Sequence, residues 1–246
     1  MATRTEIKFY SSLKQRKNRA ESRLFIAEGR KIVEEGLKSS CGCIGLFVEA
    51  GAAAKNPALE ALIADQPYET LSAAEFGQIS DTEHPQGILG VFDYEALLIE
   101  RAVGPRIVAL FDVADPRNMG TIIRSSDWFG IHELMIGETC VDPFNPKVVR
   151  STMGSVFHNR FVFAPDLIAA LKSYKSGYSL IAADMDGQDY RGFPYGERSI
   201  LIFSNEARGP SEGILALTDG IVTIPGSGQA ESLNVACAAT VIMSRL

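Results

Sequence analysis

Residues 221–246 read IVTIPGSGQAESLNVACAATVIMSRL. The apolar run 221–224 meets Pro225 and a turn carrying Gly226 and Gly228, and Ser232 then opens a nearly all-apolar stretch, the pattern of strand, loop and helix. Two earlier stretches have the same layout: 107–111 runs into DVADPRNMG, and 199–203 runs into SNEARGPSEG. Each such loop sets backbone N–H groups and a helix N-terminus beside a strand end, which suits a polar ligand group. If the strands are parallel neighbours, their carboxyl ends share the sheet edge at which open α/β folds bind ligands. Asn118, Arg124, Glu206, Ser232 and Asn234 are then expected to converge there. The plainer reading is that Pro and Gly merely punctuate strand-to-helix turns.

Composition sets the outer bounds. A chain of 246 residues with 46% hydrophobic content can bury one large core or two modest ones. The first residues are polar and basic, and no apolar segment is long enough to cross a bilayer, so a cytoplasmic protein is expected. Cys41, Cys43, Cys140 and Cys237 lack the spacing of a zinc site and are expected as free thiols. His84, His132 and His158 show no metal-ligand spacing either, so no metal is expected. Net charge is −6, yet residues 1–31 carry nine basic and three acidic side chains, a local +6 against −12 for the remainder. Steering toward phosphate depends on local potential, and Lys14, Arg16, Lys17, Arg19 and Arg23 form the densest part of this patch. An ordinary solvated helix face has the same composition.

Strand and helix patterns alternate over residues 1–95, as in a compact α/β unit; 96–105, ending in Gly104-Pro105, reads as a linker, and 106–246 as a second α/β domain. Within the latter, Asn145-Pro146 has the form of a helix cap with proline at the first helical position. The closing helix has almost no polar side and must be covered all round. One face packs on the sheet; the other is expected to meet a second copy in a two-fold dimer, or else the amino-terminal domain.

No P-loop, HExxH, GxSxG or kinase signature is present. Gly226-Ser227-Gly228 begins like a dinucleotide fingerprint, but Glu231 stands at its third glycine, which disfavours a nicotinamide enzyme. The ordered series DVADPRNMGTIIRSSDWFG, NPKVVRSTMGSVF, LIFSNEARGPS and IPGSGQAESLNVACAATVI resembles the motifs of the SpoU, or TrmH-like, RNA 2′-O-ribose methyltransferases of the SPOUT superfamily. SLKQRKNRAESRLFIAEGRKIVEE with HPQGILG is similar to that family's accessory RNA-binding domain, an α/β unit resembling a ribosomal-protein fold.

The resemblance implies a parallel-sheet domain with a carboxyl-terminal trefoil knot, a topology that general rules of chain connectivity disfavour. It implies S-adenosylmethionine held in the knot by Ser204, Asn205, Glu206, Gly209, Ile224, Pro225, Gly226, Ser232, Leu233 and Asn234. It implies a homodimer acting on RNA, ribosomal rather than transfer RNA being favoured by the accessory domain, and no role for DNA or membrane. Motif positions carry catalytic roles onto Asn118, Arg124, Glu206, Ser232 and Asn234, and an RNA contact onto Arg150. Arg124 is expected to clamp phosphate and polarise the ribose hydroxyl, since a guanidinium stays protonated. The usual GNEG of the second motif is altered, with Ser204 and Ala207 in place of both glycines. The competing function is a non-catalytic RNA-binding module with a degenerate cofactor loop.

Overall fold

The computed structural model describes residues 2–205 and 208–246. The chain divides into two compact units, Met1–Leu97 with Asp142–His158 and Leu98–Val141 with Asn159–Leu246.

In the first unit, α1 (Arg4–Ser12) and α2 (Arg16–Ser22) lead into β1 (Leu24–Glu28), α3 (Arg30–Lys38), β2 (Cys43–Glu49), α4 (Pro57–Ile63), β3 (Glu69–Leu71), α5 (Ala73–Ile79) and β4 (Ile88–Asp93). The sheet order is β1-β4-β2-β3, with β4 antiparallel to both neighbours and β3 parallel to β2. Alternation along β2 sorts the core onto two faces. Phe47 packs with Ile7, Leu13, Ile26 and Phe76 on one side, while Leu46 and Val48 pack with Val33, Leu59 and Ile63 on the other. Reciprocal capping boxes open α1 (Thr3 with Glu6) and α5 (Ser72 with Glu75). Ser11 and Ser12 close α1, and α2 starts after Gln15 without a side-chain cap.

The second unit begins with β5 (Arg106–Phe111), α6 (Pro116–Trp128) and β6 (Glu133–Gly137). The chain then leaves it for α7 (Pro146–Thr152), which packs on β1. Segment 142–158 therefore belongs with the amino-terminal unit, although its sequence groups with the second. Its aromatic residues explain this: Phe144 stacks on Tyr94 with centroids 4.0 Å apart, and Phe157 meets Phe92 edge-on at 5.0 Å. The chain returns through β7 (Arg160–Ala164), α8 (Leu167–Tyr174), β8 (Ser179–Asp189), β9 (Ser199–Ser204), α9 (Glu212–Leu215), β10 (Gly220–Thr223) and α10 (Val235–Met243). All six strands are parallel, in the order β10-β8-β9-β5-β6-β7. Burial on both faces accounts for the apolar runs 134–136 in β6 and 200–203 in β9.

Two expectations need correction. Residues 98–105 are not a free linker: Ala102 is buried, and the N–H groups of Val103 and Gly104 both donate to Glu133 Oε2 at 2.7 Å. The closing helix starts at Val235 with Asn234 as its cap, not at Ser232; Asn is as strong a cap as Ser, and its Oδ1 accepts from the Ala236 and Cys237 N–H groups.

Candidate active site

At the carboxyl ends of β8, β9 and β10 lies a cleft of about 550 Å³, closed on one side by α10. The loop after β9 contributes Ser204, Asn205 and Gly209; that after β10 contributes Ile224, Pro225 and Gly226; the approach to α10 contributes Ser232 and Leu233. Eight of the ten residues expected to hold a cofactor thus share one cavity. Glu206, and with it the altered position Ala207, lies outside the described residues.

The cleft gains a wall that sequence reading missed. Pairing of β10 with β8 jumps from Ile221↔Ala182 to Val222↔Gln188, so residues 183–187 of β8 leave the ladder. This excursion carries Ala183, Asp184 and Met185 into the cleft. Gly187 makes the jump possible, since a Cβ there would fall 2.7 Å from the Val222 carbonyl carbon. A register slip leaves no pattern in a single chain, although a glycine such as Gly187 within a strand is the type of residue that marks a bulge.

The lining has a distinct chemistry. Asp184 and Glu231 place carboxylates in it, and no Lys, Arg or His is among its described lining residues. A phosphorylated ligand would meet repulsion there, whereas a cationic one is favoured. Apolar walls from Phe203, Val222, Val235 and Ile242 suit a flat heteroaromatic ring.

Beside the cleft, two helix N-termini are joined. Asn234, capping α10, donates from Nδ2 to Asn118 Oδ1 at 2.9 Å, and Asn118 lies in the first turn of α6, which Asp115 caps. A turn and more further on, Ser125 and Thr240 exchange a hydrogen bond at 2.7 Å and Ser126 Oγ donates to Met243 Sδ at 3.5 Å, so these helices are tied by polar contacts along the seam. Arg124 faces away from this seam. It lies on an exposed stripe of α6 with Arg117, Thr121 and Trp128, the last 84% exposed, and is not among the cleft's lining residues. Within one chain, Asn118 and Asn234 are therefore bonded, with Ser232 two residues before Asn234 in the cleft lining, and Arg124 is not among the described lining residues.

The residues expected to bind RNA divide sharply. Arg16, Lys17 and Arg23 are exposed on the first unit, and Lys14 is half-buried with Nζ on the Gln78 carbonyl. Arg19 is only 1% exposed: Nε and Nη2 donate to Asp142 Oδ2 at 2.8 and 2.5 Å, and Nη1 donates to the Leu13 and Lys14 carbonyls. Its donors are spent inside the fold, so Arg19 does not contact RNA. Arg150 lies on α7 in the same unit, its Nη2 on Asp81 Oδ2 at 3.1 Å. The four cysteines are free thiols, and among the described residues no cluster could hold a metal ion and no helix is long and apolar enough to cross a membrane.

A parallel α/β unit whose strand ends and final helix enclose an acidic, apolar-walled cleft can accept a ligand that carries positive charge and apolar surface. Comparison with known proteins gives that class a family. The SpoU rRNA Methylase family matches residues 105–244, and the MRM3-like substrate binding domain matches residues 4–90. The chain is 34% identical over 249 residues to the 23S rRNA (guanosine(2553)-2′-O)-methyltransferase RlmP of Bacillus subtilis (strain 168), covering 100% of this chain and 97% of that protein. A TrmH-family protein from Porphyromonas gingivalis superposes with a TM-score of 0.86 at 33% identity, over 100% of this chain and 98% of the other. An AdoMet-bound rRNA methyltransferase from Sinorhizobium meliloti superposes with a TM-score of 0.80 at 28% identity, over 100% and 95%. The chain belongs to the SpoU rRNA methylase family, as its motif series resembled.

Proposed function

We propose that this protein transfers a methyl group from S-adenosylmethionine to a ribose 2′-hydroxyl of ribosomal RNA, and so works in the cytoplasm. The observation that carries the reading is the acidic cleft at the ends of β8, β9 and β10 in a chain of this family. The cofactor bears a sulfonium, an ammonium and an adenine but no phosphate, and the carboxylates of Asp184 and Glu231, the apolar walls and the backbone of the loops after β9 and β10 fit those groups. When bound, it supplies an electrophilic methyl group, and the protein's task is to align that methyl with a weak nucleophile.

Ser204, Asn205, Glu206, Gly209, Ile224, Pro225, Gly226, Ser232 and Leu233 would hold the cofactor, while Asn118 and Asn234 fix the helix N-termini at the cleft's edge. Arg124 would clamp the phosphate beside the target ribose and polarise its hydroxyl. Because Arg124 lies on the outer stripe of α6, it would serve the cleft of a second copy in a homodimer built on α10 and α6. Supporting this, Leu233, Cys237 and Trp128 are exposed on the same unit. A knotted passage of the carboxyl-terminal segment would give α10 and the loop 224–234 their fixed position. RNA would be engaged by the first unit through Lys14, Arg16, Lys17 and Arg23, with Arg150, by backbone contacts to folded RNA.

The test is transfer of labelled methyl from S-adenosylmethionine to ribosomal RNA by the full chain, with mapping of 2′-O-methyl positions against a sample lacking the protein. New methylation at a discrete ribose supports the reading; cofactor binding with no transfer to any RNA leaves a binding module instead.

A further inference from the structure

Ser204 and Asp184 both line the cleft. β8 and β9 pair in register as far as Ala182↔Ile202; beyond that pair Ser204 ends β9, and Asp184 lies on the excursion of β8 where its pairing with β10 jumps. Ser204 is 7% exposed, and its Oγ is buried with no hydrogen-bond partner among the described residues. An orphaned buried hydroxyl is costly unless something satisfies it. Here the remedy is a single χ1 rotation from the floor of a ligand cavity. The Asp184 carboxylate lies against Gly209, where a Cβ would stand 3.8 Å from Oδ1, and Oδ1 accepts from the Met185 N–H at 2.6 Å. No bond from another element engages Oδ2 among the described residues.

We infer that Asp184 and Ser204 form a subsite for the ribose diol of the cofactor, Asp184 accepting from the hydroxyls and Ser204 exchanging a hydrogen bond with the same sugar. An acidic side chain at the end of a parallel strand is well placed for a ribose diol, and a neighbouring hydroxyl can both donate and accept. The serine that replaces the family's glycine is on this account a gain of a ligand contact, not decay of the cofactor loop. The inference rests on the cleft being the S-adenosylmethionine site.

The test is calorimetric binding of S-adenosylmethionine, S-adenosylhomocysteine and 5′-methylthioadenosine to the full chain and to Asp184→Asn and Ser204→Ala. All three ligands carry the ribose; only the first has the sulfonium, and only the first two have the ammonium. Asp184→Asn should weaken all three by a similar factor of about 10, and Ser204→Ala by about 5, these being hydrogen bonds to a charged and a neutral group. Ser204→Ala should also leave the melting temperature of the free protein unchanged or raised, because its hydroxyl has no internal partner to lose. A loss confined to S-adenosylmethionine and S-adenosylhomocysteine would place Asp184 at the ammonium and overturn the assignment, as would unchanged affinities. Failure of the unsubstituted protein to bind any of the three would instead remove the cofactor reading beneath it.

Discussion

Asn234 and Asn118, 116 positions apart in sequence, are hydrogen-bonded at 2.9 Å, and Asn234 at the same time caps α10. One amide thereby sets both the start of the last helix and its position against the first turn of α6. Replacing Asn234 with Ala removes cap and tie together, and an N-cap alone is worth about 1 kcal/mol. Denaturant melts should show Asn234→Ala losing about 1–2 kcal/mol, with Asn118→Ala, which keeps the cap, losing less. Equal losses would mean the cap contributes nothing.

Arg19 and Asp142 form a buried ion pair, with side chains 1% and 9% exposed. Removing one partner strands the other charge, which typically costs about 3–5 kcal/mol. Arg19→Met should therefore lower stability by that order. Arg16→Ala and Lys17→Ala should leave stability within about 0.5 kcal/mol while weakening RNA binding and flattening its salt dependence. RNA affinity lost with Arg19→Met at full stability would reverse this division.

Arg124 is not among the described residues that line the cleft of its own chain, so its loss should spare the cofactor. Arg124→Ala is expected to cut methyl transfer by at least about 100-fold, as for removal of a charged transition-state contact, with cofactor affinity unchanged. Loss of both in proportion would contradict a role directed at the RNA. If Arg124 serves a partner's cleft, mixing it with an inactive cleft variant should restore part of the activity.

Cys237 is exposed on the outward side of α10. In a dimer built on that helix it is covered, so maleimide labelling should be slow at high protein concentration and fast on dilution, in step with the mass measured by sedimentation. Rapid labelling of a protein that sediments as a dimer would put the interface elsewhere.

Much of this was legible in the chain itself. The strand-loop-helix punctuation located β5, β9, β10 and their loops, because parallel strands buried on both faces read as apolar runs and Pro and Gly mark their ends. Asn145-Pro146 gave the start of α7, and the same logic at Asp115-Pro116 would have started α6 at its true first residue. What escaped was set by tertiary contact. Phe144 and Phe157 carry α7 to the other unit through ring packing that no periodicity records. Arg19 looks like its basic neighbours until Asp142, distant in sequence, claims its guanidinium. Asp184 enters the cleft through a register jump visible only when β10 lies beside β8.

The central claim is tested most directly by supplying S-adenosylmethionine labelled in its methyl group with ribosomal RNA, then hydrolysing the RNA in alkali. Methylation of a 2′-hydroxyl blocks cleavage at that nucleotide, so the label should appear in alkali-resistant dinucleotides and vanish with excess S-adenosylhomocysteine. Label recovered in mononucleotides would mean a base is the acceptor and would contradict the assignment to the ribose.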